Sequence, residues 1–240
     1  MQTKDVFYIN LSGLAVEMRS DFDFAERHCK DYLAESCDKP DLVAEVTREQ
    51  INAEKLVNEV ALTDGYCEDI CLYRAIAEQL PLFDRTVFHG AAIEVGGRGY
   101  IFTAPSGTGK TTHISLWRQA FGDKVRIING DKPILRLDGE RVDVCSTPWM
   151  GKEGLGTISE APLDAIVLLK RSSENKMTKI APSECFSNLV KQFYLPRESV
   201  SKLKAIEIVD RVLKSVPVYL LECNMSLDAA QLSYKTLIGE

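Results

Sequence analysis

The stretch Ala104-Pro-Ser-Gly-Thr-Gly-Lys-Thr-Thr112 constrains this chain more than any other. It follows the apolar run 100–102 and leads into a helical pattern over 111–121, with Ile114, Trp117 and Phe121 on one side and Gly122 as the stop. A strand, a glycine-rich turn and a helix beginning on lysine form a phosphate-binding loop for physical reasons. Gly107 and Gly109 allow backbone conformations closed to other residues, so the chain can wrap an anion with its N–H groups. The helix starting near Lys110 adds partial positive charge at its N-terminus. Lys110 then reaches the β- and γ-phosphates of a nucleotide, and the Thr111 hydroxyl ligates Mg²⁺. The predicted nucleotide contacts are Ser106, Gly107, Thr108, Gly109, Lys110, Thr111 and Thr112, with Thr111 also a metal ligand. Ala104 stands where this pattern usually opens on glycine.

The elements around the loop predict an α/β fold with a mixed sheet flanked by helices. Strands are predicted at 87–95, 100–103, 125–128, 134–137, 141–144, 165–169 and 217–223. Gly96-Gly97-Arg98-Gly99 and Asp138-Gly139 read as hairpin turns. Helices follow near 183–194, 198–214 and 227–237. Ahead of this core, at 86–240, lies a segment at 1–85 that packs on it. It opens with a strand at 6–16 and a helix at 22–33. Thr47 and Gln50 have capping-box spacing, and Ala53, Leu56, Val57 and Val60 give the next helix an apolar stripe. Another helix, at 68–80, carries Ile70, Tyr73, Ile76, Ala77 and Leu80 on one side and stops at Pro81.

Composition narrows the partners. The chain has 35 acidic against 29 basic residues, net −6, a surface that does not suit a nucleic-acid backbone. It has no apolar run of the ~18 residues a membrane helix needs, and Met1 to Asp5 lack the apolar start of a signal peptide. A cytoplasmic protein is the expectation. The 7 cysteines are dispersed, and only Cys67 and Cys71 lie one helical turn apart; buried thiols are the reading.

Several residues outside the loop carry candidate chemistry. Asp131 ends the segment 125–131, and an apolar strand ending in an acid is the usual way to place a second Mg²⁺ ligand. His89 lies on the strand leading to the loop and can pass protons near neutrality. Glu94, further along that strand, is a second candidate base. His113 can approach a nucleotide from the helix after the loop, while Trp117 packs. Lys152 and Glu153 sit in a Gly-containing loop that can close over phosphates, with Lys152 stabilising the transferred group. Lys170 and Arg171 end a buried strand and offer a cation. The guanine-recognition pattern Asn-Lys-x-Asp is absent, which argues against a GTPase.

These residues resemble HPr kinase/phosphorylase and ATP-type phosphoenolpyruvate carboxykinase. Phe88-His89-Gly-Ala-Ala-Ile-Glu-Val precedes the loop by one hairpin, and both families place a histidine there. Ser106-Gly-Thr-Gly-Lys-Thr-Thr112 is similar to the carboxykinase loop, and HPr kinases use a variant ending Gly-Lys-Ser. Ile128-Asn-Gly-Asp131 sits where those families carry Asp-Asp, so Gly130 replaces the first acid. Glu153-Gly-Leu-Gly156 resembles the Arg-Gly-Leu-Gly segment of HPr kinases. Pro148-Trp-Met-Gly-Lys152 resembles a signature of their uncharacterised relatives. The likeness covers about 86–170, and the last strand and helix loosely. The segment 1–85 does not resemble the HPr kinase N-terminal domain, and the carboxykinases' substrate-binding arginines have no counterpart.

What the resemblance implies is a P-loop kinase core and an ATP- and Mg²⁺-dependent kinase. It would move the γ-phosphate to a hydroxyl of a peptide, protein or small metabolite. His89, Lys110, Asp131 and Lys152 are the implied catalytic residues, with Thr111 and Asp131 on the metal. In HPr kinases the first acid of the pair is the general base, and Gly130 cannot supply one. Two alternatives therefore stand: a nucleotide-binding regulatory protein with little transfer activity, and a carboxykinase-like or ATP-hydrolysing enzyme. HPr kinases form hexamers, which makes a homo-oligomer a further expectation.

Overall fold

The computed structural model describes residues 4–57 and 61–239. The chain opens with a hairpin: β1 (Asp5–Leu11) pairs antiparallel with β2 (Leu14–Ser20), Leu11 opposite Leu14. The single strand predicted over 6–16 is thus two. Ser12 and Gly13 both have positive φ (53° and 82°), the turn that matches strand twist. Buried apolar residues alternate on each side of the turn, at Phe7, Ile9 and Leu11 and then at Leu14, Val16 and Met18, so the change of parity at Ser12-Gly13 marks the break. After α1 (Phe24–His28), shorter than the helix predicted over 22–33, come a 3₁₀ turn at Lys30–Tyr32 and the short strands β3 (Leu33–Ala34) and β4 (Leu42–Glu45). They complete a four-stranded sheet in the order β3-β1-β2-β4.

Helix α2 (Arg48–Leu56) begins on the predicted capping box. The Thr47 hydroxyl accepts from the Gln50 amide at 3.4 Å, and the Gln50 side chain accepts from the Thr47 amide at 2.7 Å. Its buried face differs from the predicted stripe. Ala53, Leu56 and Val57 are exposed, while Ile51 and Glu54 are buried; Val60 lies outside the described residues. Glu54 goes inside because Arg74 of α3 (Asp64–Gln79) grips both its oxygens. That partner sits on another helix, and hydropathy along α2 could not show it. Helix α3 starts one turn earlier than predicted, at the Thr63 cap.

A 3₁₀ turn at Leu80–Phe83 leads to β5 (Arg85–Val87), β6 (Ala91–Val95), β7 (Arg98–Thr103), α4 (Lys110–Phe121) and β8 (Arg126–Asn129). The strand predicted over 87–95 is broken at His89-Gly90. Gly96 and Gly97, both at positive φ, make the predicted turn between β6 and β7. Next come β9 (Ile134–Asp138), β10 (Arg141–Cys145), β11 (Glu160–Arg171), β12 (Lys176–Ile180), α5 (Pro182–Val190), α6 (Ser199–Ser215), β13 (Val218–Cys223) and α7 (Leu227–Ile238). Strand β12 was not predicted, and α5 stops short of the predicted 194.

The large sheet is mixed. Its path runs β5-β9-β10-β11-β7-β6-β8, with β13 also parallel to β11 and β12 antiparallel to β13. Strand β11 is long because its first part pairs with β10 and its second with β7 and β13. Parallel neighbours on both edges and helices over both faces bury it, so 165–169 reads as an unbroken apolar run. Ala165, Val167 and Leu169 join Tyr100, Phe102, Trp117 and Tyr234 in the core under α4 and α7. Ile166 and Leu168 point the other way, to Ile101, Leu189, Ile208 and Val212 under α5 and α6. A third core fills the N-terminal layer and takes in Val87, Ile134, Cys145 and Trp149 from beyond residue 85. Cys67 and Cys71 are buried free thiols. Among the described residues, no helix is long and apolar enough to cross a membrane.

Candidate functional site

The glycine loop leaves the end of β7 in the middle of the sheet and turns into α4, which begins at Lys110. Gly107 and Gly109 have φ of 76° and 119°, and an added Cβ at either would meet nothing within 4 Å. Those glycines are required by backbone conformation rather than by crowding. The Thr108 hydroxyl ties the turn to the Pro105 carbonyl at 2.8 Å. Lys110 is buried and donates from Nζ to the Ala104 carbonyl at 3.1 Å, folding the ammonium back across the loop. Burial lowers its pKa, opposed by the charge of Asp131 and assisted by that of Lys132.

Asp131 follows β8 on a turn held by Asn129. The fully buried Asn129 side chain accepts from the amides of Asp131 (2.8 Å) and Lys132 (2.7 Å), and donates to the carbonyl and hydroxyl oxygens of Thr147, each at 3.0 Å. The Asp131 carboxylate meets His89 Nε2 at 3.3 Å and Lys132 Nζ at 3.6 Å. Burial alone would raise its pKa. The His89 hydrogen bond and the charges of Lys132 and Lys110 outweigh it, so the carboxyl lies below its ordinary value and is ionised at neutral pH. His89 is fixed from three sides. Its Nδ1 lies 3.0 Å from Gln192 Oε1, its amide donates to the Gln192 carbonyl at 2.7 Å, and its carbonyl accepts the Thr103 hydroxyl at 2.7 Å. With Nδ1–H given to Gln192, Nε2 is the atom left facing Asp131.

The segment 146–156 packs over this turn. A Cβ on Gly130 would meet the Met150 carbonyl at 2.9 Å and the Leu155 carbonyl at 3.0 Å. The space that an acid would occupy is filled by backbone. Gly151, at φ 80°, lies against Asp131, where an added Cβ would come within 3.0 Å of the aspartate Cβ. Lys152 and Glu153 stand at the exposed tip between Gly151 and Gly154, which close a turn (Gly154 amide to Gly151 carbonyl, 3.2 Å).

The structure thus brings together His89, Lys110 and Asp131, with the loop residues Ser106 to Thr112 beside them. Thr111 is half-buried in the first turn of α4, and Lys152 is solvent-facing with only its backbone neighbour Gly151 on Asp131. Glu94 is not part of the group. It caps the far end of the β6–β7 hairpin, accepting from the Gly97 amide at 2.9 Å and pairing with Arg126 at 3.2 Å. His113 is buried as well, accepting the Trp117 indole N–H at 3.1 Å. Burial pushes its pKa down to about 4, so it is a neutral packing residue.

Arg171, at the end of β11, donates to the carbonyls of Gly107 and Thr108, which braces the loop; its neighbour Lys170 pairs instead with Glu222. A cavity of about 340 Å³ opens beside the loop, with Thr112, Leu116, Leu169, Arg171, Cys223 and Met225 among its walls. Gln192 and Tyr73 escaped the sequence reading. Gln192 carries no local signal, being 103 positions from its histidine. Tyr73 reads as an ordinary core position of α3, yet the charge of Asp131 helps burial raise its pKa, which puts the phenol near the carboxylate. Asn129 had a signal that went unused: Asn-x-Asp before a proline is a turn pattern.

No protein-family model matches the chain, and no curated protein matches it significantly. Among solved structures it is similar to the HPr(Ser) kinase/phosphatase from Coxiella burnetii, at 9% identity and a TM-score of 0.37, over 64% of this chain and 88% of that one. A likeness that slight says nothing of activity.

Proposed function

We propose that this chain is an ATP- and Mg²⁺-dependent phosphotransferase of the HPr kinase-like kind, acting on a hydroxyl of a peptide, protein or small metabolite. The observation that carries the reading is the meeting of a positive-φ glycine loop, a buried lysine, an ionised aspartate and a fixed histidine at one end of the sheet. The donor set fits the metal: the Thr111 hydroxyl and the Asp131 carboxylate are oxygen ligands of the sort Mg²⁺ takes together with substrate phosphates. Bound there, the ion would neutralise charge on the β- and γ-phosphates.

The chain's own groups do the rest. The amides of the loop and the N-terminus of α4 hold the phosphates. Lys110 exchanges the Ala104 carbonyl for a phosphate oxygen, a stronger, charge-assisted partner. The nucleoside lies in the cavity beside Thr112 and Leu169. As the acceptor oxygen bonds to the γ-phosphorus, the bond from phosphorus to the β,γ-bridging oxygen breaks and ADP leaves. Neutral His89, with its Nδ1–H on Gln192, takes the acceptor's proton at Nε2, and the imidazolium so formed donates that N–H to Asp131. His89 thereby takes the place of the acid that Gly130 lacks. Lys152 joins the transferred group when its loop closes.

A second reading is favoured by Gly130 alone: a nucleotide-binding regulatory protein with little transfer. Two measurements separate them. Calorimetry with Mg²⁺–ATP should show Lys110→Ala weakened about ten- to hundredfold, the worth of a charge-assisted contact. Equal affinity in the two proteins refutes nucleotide binding at this loop. Mass shifts of one phosphate on candidate hydroxyl acceptors should appear with the wild type and fall about 10²-fold or more in His89→Ala at unchanged ATP affinity. Tight ATP binding with transfer to no acceptor favours the regulator.

A further inference from the structure

The N-terminal layer reaches the candidate site through one side chain of the 146–156 segment. Trp149 is buried, and its indole N–H donates to Asp69 Oδ2 of α3 at 3.2 Å. One turn along the same face of α3, the Tyr73 ring packs on the Trp149 ring with centroids 5.1 Å apart and touches Tyr194 at 6.5 Å. Residues at i and i+4 of a helix lie one above the other, so α3 holds this indole by its N–H and by its face.

Asp69 is itself held in place. It is 1% exposed, and Oδ2 also takes His28 Nδ1 at 2.9 Å. Its Oδ1 has no hydrogen-bond partner among the described residues. A buried carboxylate with one oxygen bonded twice and the other unmet is a costly arrangement. Its orientation serves the indole and imidazole it binds. From Trp149 the chain passes to Met150, whose carbonyl fills the space beside Gly130, and to Gly151, which lies on Asp131.

We infer that Asp69 and Tyr73 are positioning residues of the phosphotransfer site, acting through Trp149 to set the 146–156 segment on Asp131. The inference rests on the kinase reading for its effect on transfer, but the anchoring stands apart from that reading. It gives the first 85 residues a part in the chemistry: without α3 beneath it, the Trp149 N–H has no acceptor and its ring loses the Tyr73 contact, and the glycine turn carrying Lys152 loses its fixed distance from the carboxylate.

The test uses the full chain and Trp149→Phe, which keeps an aromatic ring on Tyr73 and removes the N–H together with part of the indole's bulk. Asp69→Asn and Tyr73→Leu probe the other partners, with circular dichroism and thermal melting to establish folding. The first readout is tryptic cleavage after Lys152, followed by mass spectrometry of the fragments. Losing a hydrogen bond to a buried charge should speed cleavage there by about tenfold or more in Trp149→Phe, as local opening becomes easier. The second is transfer of phosphate: kcat should fall between about tenfold and a hundredfold, with KM for ATP within about twofold of wild type. A fall in both cleavage resistance and kcat supports the inference, and Asp69→Asn should show the same pair. Unchanged cleavage in a folded Trp149→Phe overturns the anchoring. Faster cleavage with unchanged kcat overturns the positioning role. A wild type that binds no Mg²⁺–ATP is a failure of the kinase reading instead, and removes the effect on transfer while cleavage still decides the anchor.

Discussion

Replacing Gly130 is the sharpest perturbation the site offers, because the resemblance and the structure make opposite forecasts for it. By resemblance, Gly130→Asp restores a missing general base and should raise transfer. In the structure a Cβ at this position lies 2.9 Å from the Met150 carbonyl oxygen, 3.0 Å from that of Leu155 and 3.5 Å from the Leu155 Cβ. The two oxygens are backbone atoms of the 146–156 segment, so no rotamer change relieves the contact, and the segment must move by several tenths of an ångström. Forcing extra atoms into a packed site typically costs about 1–3 kcal/mol. Loss of the glycine's unfolded-state entropy returns about 0.4–1 kcal/mol, so even Gly130→Ala should be a net loss. For a chain of this size each kcal/mol lowers Tm by about 2–4 °C, so a net cost of up to about 2.6 kcal/mol puts the fall for alanine at up to roughly 10 °C. Aspartate should do worse, since its carboxylate would face two carbonyl oxygens. Calorimetric melting of wild type, Gly130→Ala and Gly130→Asp, with transfer measured on each, decides between the forecasts. A Tm for Gly130→Ala at or above wild type, or a gain in transfer in Gly130→Asp, would refute the view that backbone has taken the acid's place.

Two further outcomes follow from the charges. Asp131→Asn should raise the Mg²⁺ concentration needed for half-maximal turnover at least about tenfold, the order seen when metal-site partners are lost. A Mg²⁺ titration checks this, and unchanged metal dependence would remove Asp131 from the ion's ligands. His28 carries a pKa raised chiefly by its hydrogen bond to Asp69, against burial, with the Asp69 charge and the Pro148 carbonyl assisting. A folded-state pKa above the unfolded value of about 6.5 means the stabilisation is complete below that pH and is lost as pH rises through the folded value. Melting from about pH 6 to pH 8.5 should therefore show Tm falling with pH in wild type and a flatter profile in His28→Gln; parallel profiles would remove His28 from the linkage.

Much of this molecule is legible in one dimension. The glycine loop, its strand and its helix are a local pattern, since backbone conformation at Gly107 and Gly109 and the start of α4 depend on neighbours in sequence. The buried strand at 165–169 announces itself by five apolar residues in a row, and the capping box at Thr47 and Gln50 by its spacing. Each of these is decided within a few residues, by backbone sterics or by periodicity against water. Other features are contacts between distant parts of the chain. Glu54 lies inside and Leu56 outside because an arginine on another helix neutralises the glutamate. Glu94 is spent on a hairpin turn, although the sequence puts it on the histidine's strand. The tautomer of His89 is set by a glutamine 103 positions away. Gly130 reads as a lost acid until the carbonyls of Met150 and Leu155 are seen where its side chain would be, and Trp149 reads as loop until α3 is found beneath it. Sequence determined the glycine loop and the helix that follows it, because their backbone conformation is local. Tertiary structure alone decided which side chains share a site with them, because only folding makes distant residues neighbours.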